Sequence, residues 1–291
     1  MDTPHKIFSP ARLWAIASNT LLELVRLKVF YFLLLFALLI IGSSAFMLDF
    51  KFQEQFQVLK DMSLGSMSIF SWLLAVLATA MLLPKEIEDR TLYTILAKPV
   101  PRLEYILGKL LGILALLFVS ILLMSVMFVI ALYIKQQAVL TDAVRGLPPE
   151  QTADVIRGVK ASAFTVSLIP CVAMIYIKSA LLASFTLLAS TFATSSIFTI
   201  IVSFVVYFIG HVQGIARESL LASPNASALS KVFLAFVSLL FPDLRLLNLT
   251  DDVVAGNAIS SAIFLKTAGL GLSYFCVYTL AAYLIFAFKE L

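Results

Sequence analysis

The chain has 291 residues, 61% of them hydrophobic and 13% charged, with a mean hydropathy of +1.02. Soluble domains carry roughly 45–50% apolar and about 25% charged residues, so the composition excludes an ordinary soluble domain and indicates a multi-pass membrane protein. A formal net charge of +4 is too small to point to nucleic acid, and Cys171 and Cys276, both in apolar runs and without a CxxC pattern, read as buried small hydrophobes rather than a metal or redox site.

The polar leader, residues 1–28, comes first. Over 11–27 it has helical periodicity, with Arg12, Asn19, Glu23 and Arg26 on one stripe and Leu13, Trp14, Ala17, Leu21 and Leu24 opposite. Trp14 and the flanking cations suit a helix lying in the membrane interface, while the same pattern suits a helix packed on other protein; the two readings are compatible. The first apolar run starts only near Val29, so it is read as a retained span and not as a cleavable signal.

A span needs about 20 apolar residues to cross about 30 Å of hydrocarbon. Six segments are read as spans: 29–48, 64–83, 110–134, 164–190, 197–210 and 265–288, the fifth borrowing residues to His211 or beyond. Six spans put both termini on one side. The Lys and Arg counts on the two sides tie, and Arg26 and Lys28 directly flank the first span, which assigns the termini to the cytoplasm. No Asp or Glu lies inside any of these segments, which argues against a proton- or sodium-coupled carrier.

The outer loops differ in character. Residues 49–63 are short and polar, and 135–163 read as two short helical pieces broken at Pro148-Pro149. The longest loop, 212–264, contains an apolar stretch at 229–241 that is too short to span and ends at Pro242, so it reads as a re-entrant or surface-lying helix.

Between the second and third spans lies a charged island, 84–109. Pro84 opens it, Glu86, Glu88 and Asp89 crowd the first turn of an expected helix, and Lys98-Pro99 ends that helix. Ile87, Leu92, Tyr93, Ile95 and Leu96 supply an apolar side, and Arg102 to Lys109 lead into the next span. Such a segment suits docking into a groove on a soluble partner; a solvated loop with ordinary charge pairs fits the composition equally.

Enzyme chemistry has no support in the pattern. His5 and His211 are too far apart for a metal motif, no Ser, His and acid arrangement stands out, and Leu103 occupies the position where a phosphate-cradling loop ending in Gly108-Lys109 needs glycine. Lys178, inside the fourth span and about 20 Å from the expected cytoplasmic turn, is costly in hydrocarbon by about 2.5 kcal/mol or more. It either lines a substrate path or a dimer seam, or snorkels outward from a shifted register. Pro170, earlier in the same span, is expected to kink it. The small residues Ala193, Thr194, Ser195, Ser196, Thr199 and Ser203 fit either a dimer seam or a tight turn.

The island EIEDRTLYTILAKPVPRLEYILGKLLG resembles the signature of ABC-2 type permeases, the membrane subunits of a large group of ABC transporters. Glu86, Glu88, Arg90, Thr91, Leu96, Lys98, Pro99, Arg102, Tyr105, Gly108 and Lys109 occupy the characteristic positions, and the chain is most similar to the multicopper-enzyme-maturation permease branch. The resemblance implies an all-α integral membrane protein with six transmembrane helices, an N-terminal amphipathic interface helix and a cytoplasmic coupling helix between spans 2 and 3. It implies a bacterial or archaeal cytoplasmic membrane, a second permease chain as a homo- or heterodimer partner, and separate ABC ATPase subunits that carry ATP and Mg while this chain binds no cofactor. The ATPase-coupling residues it implies are Glu86, Glu88, Asp89, Arg90, Thr91, Tyr93, Leu96, Lys98, Pro99 and Arg102, with Arg12, Trp14, Glu23 and Arg26 on the interface helix. The activity it implies is ATP-driven export of a substrate; the alternative is an ATPase-driven assembly or maturation system acting on an extracytoplasmic protein without solute transport.

Overall fold

A computed structural model describes residues 9–46, 52–88, 101–144, 149–193, 195–222 and 228–288. Every regular element among them is an α-helix: α1 Pro10–Val25, α2 Lys28–Ser44, α3 Phe52–Glu88, α4 Arg102–Val144, α5 Pro149–Ala163, α6 Leu168–Phe192, α7 Ser196–Ala222, α8 Ala228–Leu240, α9 Thr250–Val254 and α10 Ser261–Phe288. The protein is therefore an all-α integral membrane protein. Among the described residues five helical stretches are long and apolar enough to cross a membrane: Glu54–Pro84, Arg102–Asp142, Thr152–Phe192, Ser196–Ser219 and Ser261–Phe288. The pair Pro10–Val25 and Lys28–Ser44, bent by 68° at Arg26 and Leu27, makes a sixth when counted as one span.

The bundle is organised around α3 and α6. Small side chains let the neighbours of α6 approach closely: Ser179, Ala180, Ala183, Ser184, Ala189 and Ser190 are all buried. Helix α10 packs along α6, α3 lies against it from another side, and α4 and α7 complete the surround. The Ser179 hydroxyl donates to Ser71 Oγ of α3 at 3.0 Å and stands 2.8 Å from the Ile175 carbonyl, so its polar atom is satisfied inside the apolar packing.

Several expectations from the sequence change here. At 37 and 43 residues, α3 and α4 reach about 55 and 64 Å, well beyond the hydrocarbon, because polar residues at their ends continue the same backbone ladder. Pro84 opens no new helix: α3 passes through it and ends at Glu88. Residues 135–163, expected as two short helical pieces broken at Pro148-Pro149, are helical on both sides of 145–148, which lie outside the described set; the first piece is the end of the long α4 and the second is α5. Pro170 sits in the first turn of α6, where a backbone N–H has no intrahelical acceptor, so it starts the helix and does not kink its middle. Cys171 is buried as expected, whereas Cys276 is exposed on the outer face of α10.

The apolar segment near 229–241 forms α8, which packs on α7 and ends against α10. Its C-terminal carbonyls would be orphans; the Tyr274 hydroxyl donates to Ser238 O at 2.5 Å and the Tyr278 hydroxyl to Leu240 O at 2.7 Å. The chain then turns back, and the Leu244 amide donates to Gly210 O at 3.0 Å, midway along α7. A Cβ at Gly210 would stand 2.7 Å from Leu244 Cγ and 2.9 Å from the Pro242 carbonyl oxygen. Gly210→Ala is therefore expected to destabilise the protein by about 1–3 kcal/mol, the usual result of overpacking. A lowered thermal unfolding midpoint in detergent checks it, against Gly65→Ala, where a Cβ meets nothing within 4 Å.

Candidate functional site

At the end of the bundle where α3 finishes and α4 begins, charged side chains from three helices meet. Helix α1 lies along the start of α4 because α4 carries Gly108 and Gly112 one turn apart. A Cβ at Gly108 would come within 2.7 Å of Ile16 Cγ2, and one at Gly112 within 2.8 Å of the Ala17 carbonyl oxygen. Two glycines at this spacing bring the backbones close enough for their polar side chains to reach across.

Glu104, in the first turn of α4, is fully buried. Arg12 of α1 grips it with a fork, Nε to Oε2 at 2.6 Å and Nη2 to Oε1 at 2.8 Å, and the Ser9 amide donates to Oε1 at 2.6 Å. The carboxylate thus satisfies both the guanidinium and the entry to α1, a strong, directional arrangement.

One turn further along α4, Lys109 is the second centre. Its ammonium lies 2.5 Å from Glu86 Oε1 of α3 and 3.7 Å from Glu23 Oε2 of α1, and 5.8 Å from the centre of the Tyr105 ring. The Tyr105 hydroxyl donates to the other oxygen of Glu86. Lys109 is almost fully buried while Glu23 is about a third exposed, so the α3 partner is the more strongly coupled of the two. Tyr105 also stacks on Phe286 of α10 at 5.6 Å, and Arg102 Nη1 donates to Ala287 O at 2.5 Å and Phe286 O at 3.2 Å, placing a cation at the α10 C-terminus. The ends of α1, α3, α4 and α10 are thereby held by three neighbouring sets of polar contacts, which together form one charged cluster.

Of the residues singled out from the sequence, Arg12, Glu23, Glu86 and Arg102 belong to this cluster. Trp14 does not: it is 73% exposed, on the face of α1 turned away from α4, while Ala17, Thr20 and Leu24 form the packed face. Helix α1 therefore both packs on protein and leaves an apolar side open. Arg26 ends α1, its amide donating to Leu22 O and Glu23 O. Glu88 closes α3, and its side chain, together with Asp89, Arg90, Thr91, Tyr93, Leu96, Lys98 and Pro99, lies outside the described residues. Glu104 is the main addition; the (i, i+5) spacing of Glu104 and Lys109 gives no sign that each has a mate on the leader.

Lys178 occupies a second, separate cluster. It is buried in α6, its ammonium 3.5 Å from His211 Nε2 and 5.9 Å from the centre of the Tyr207 ring, both on α7. The other ring nitrogen of His211 is 3.0 Å from the Tyr207 carbonyl, which only accepts, so Nδ1 carries the hydrogen and Nε2 accepts from Lys178. Tyr207 in turn stacks on Trp72 of α3 at 3.9 Å, and the buried Trp72 Nε1 has no hydrogen-bond acceptor among the described residues. Pro170, about two turns from Lys178 along α6, is not part of this cluster.

No curated protein sequence matches this chain. A family model does, that of the ABC-2 family transporter proteins, over residues 14–291, from α1 to the C-terminal residue. The chain belongs to the ABC-2 family of transporter proteins and is a membrane permease subunit of an ABC transporter.

Proposed function

We propose that this chain works as one of a pair of permeases, coupling ATP hydrolysis on a separate ATPase subunit to export of a substrate. The observation that carries the reading is the Glu86–Lys109–Glu23 arrangement. Glu86 is two residues from the end of α3, so whatever moves the segment that follows pulls on Lys109, and through it on α1 and α4. A buried charge gives way only at high cost, so the network transmits displacement instead of absorbing it. Residues 89–100, between α3 and α4, are the proposed docking segment, with Asp89, Arg90, Thr91, Tyr93, Leu96, Lys98 and Pro99, together with Glu88 at the end of α3, as the ATPase-facing set.

Lys178 is the proposed polar point on the substrate path. Its nearest neighbours are a neutral imidazole and the face of Tyr207, no carboxylate among the described residues lies within ion-pair distance, and the charge of Asp251 reaches it only at longer range. A cation in that setting favours substrates bearing a negative charge or electron-rich group.

The test is affinity purification of the tagged chain from its host in mild detergent, followed by mass spectrometry. An ABC ATPase is expected to accompany the wild-type chain. Reversing charge at Glu88 and Asp89 is expected to reduce its recovery at least about tenfold, as loss of an interfacial charge pair worth about 2–5 kcal/mol would. Glu86→Gln, by contrast, is expected to retain the ATPase, because Glu86 is engaged with Lys109. Absence of any ATPase from wild type, even after crosslinking, overturns the reading.

A further inference from the structure

Another buried lysine lies at the opposite end of α3. Lys60 is 26 residues before Glu86, about 39 Å along the helix, and is only 3% exposed. Its ammonium donates to Ser162 O at 2.9 Å and to Thr165 Oγ1 at 3.3 Å, both from the end of α5 and the turn that follows. Three N–H groups with two acceptors leave one donor over. Among the described residues no carboxylate pairs with this cation. The carbonyl end of α5 offsets part of the charge, but a buried cation that lacks a full counter-charge remains costly.

Beside it opens a cavity of about 280 Å³, walled by Phe56, Gln57 and Lys60 of α3, Ser162 and Thr165, and Gly256 after α9. Besides Lys60, two side chains facing it can donate. Thr165 Oγ1 accepts from Lys60 and so has its own hydrogen to give, and the Gln57 amide is exposed and engages no other described group. The cavity falls below the roughly 300–1,000 Å³ of drug-sized pockets, room for a head group or a small acid and not for a bulky cargo. Lys60 is six residues inside the apolar stretch that begins at Glu54, about 9 Å from its end and so near the boundary of hydrocarbon and head groups.

We propose that this cavity binds one singly charged oxyanion, a phosphodiester or a carboxylate, with Lys60 as counter-charge and Thr165 and Gln57 as further donors. The site is distinct from the Lys178 cluster and does not depend on the direction of transport. The anion comes either from a lipid head group, entering from the surrounding leaflet, or from a soluble acid.

The full-length chain in an uncharged detergent at constant ionic strength is titrated with dihexanoyl-phosphatidylglycerol, with sodium acetate, and with uncharged dihexanoylglycerol, reading the thermal unfolding midpoint. A ligand that binds only the folded protein raises that midpoint. An anionic probe is expected to raise it for wild type and for Lys60→Arg, and dihexanoylglycerol to leave it unchanged. Half-saturation is expected to weaken at least about tenfold in Lys60→Gln and in Thr165→Val, the second of which keeps shape and removes only the hydroxyl. A response to the phosphatidylglycerol alone identifies a lipid head group; a response to acetate, with or without the lipid, identifies a soluble acid. Equal responses in wild type and both variants, or no response to either anion, overturn the proposal. These outcomes are independent of whether an ATPase is recovered with the chain.

Discussion

Arg12→Ala is expected to lower the thermal unfolding midpoint by more than the loss of an ordinary surface ion pair would, because it strips the cation from a covered carboxylate. Arg12 is itself partly exposed, but its mate Glu104 is completely buried and keeps only the Ser9 amide when the guanidinium is gone. The cost is that of an uncompensated carboxylate at the foot of α4, not of a lost surface contact. Two consequences separate this account from simple loss of packing. First, Arg12→Ala/Glu104→Gln is expected to be more stable than Arg12→Ala alone, because the stranded charge is removed with its partner. Second, α1 is expected to leave α4, so trypsin cleavage between α1 and α2 should accelerate more than cleavage elsewhere. Thermal unfolding of the single and double variants in detergent, with limited proteolysis alongside, measures both. A double variant less stable than Arg12→Ala would show that the fork contributes through geometry and not through charge compensation.

The same pair shows how far the sequence could be read. Local signals served well: the 3.6-residue stripe of the leader is α1, Pro10–Val25, and the continuous apolar runs are α2 and α10 within a few residues. Apolar content marks hydrocarbon and not helix, however, so it was blind to the polar ends of α3 and α4. Helix ends in water cost little, and these two simply continue. Gly108 and Lys109 stood out as members of a motif, but their work depends on α1, more than 80 residues earlier in the chain. Gly108 is there because Ile16 and Leu13 leave no room for a Cβ, and Lys109 because Glu86 and Glu23 converge on it. Pairings of that kind are set by packing, and one sequence has no period or spacing that reports them. Lys178 was conspicuous as a lone cation in an apolar run; His211 and Tyr207, which receive it, come from the next helix and carry no comparable signal. Lys60 counted only as one of the outer-side cations, because a lysine near the end of a short polar loop looks solvated until the ends of α5 and α9 close over it.

Lys109→Met is expected to have the larger functional effect. Methionine fills the space beside Tyr105 and Gly108 without the charge, leaving Glu86 bonded to the Tyr105 hydroxyl but no longer tied to α4 by an ion pair or linked to Glu23. The stability loss is about 3–5 kcal/mol, that of a buried pair broken by removing one partner, and Glu86→Gln/Lys109→Met is expected to recover most of it. Coupling should not recover with it. The ion-pair route from the end of α3 to the leader helix is gone from both variants, which leaves only the Glu104–Arg12 fork at the start of α4. The measurement uses the complex with its ATPase and a fluorophore on Trp14→Cys, in a chain lacking Cys171 and Cys276; position 14 is exposed on α1, so the label tolerates attachment. Wild-type complex is expected to change signal between the nucleotide-free and ATP-bound states. Lys109→Met and the double variant are expected to retain the ATPase and lose that change. If the double variant regains full stability and the full signal, the Glu86–Lys109–Glu23 arrangement holds the helices together without transmitting motion, and the path from the ATPase to the membrane runs elsewhere, through the Glu104–Arg12 fork or through Arg102 and the end of α10.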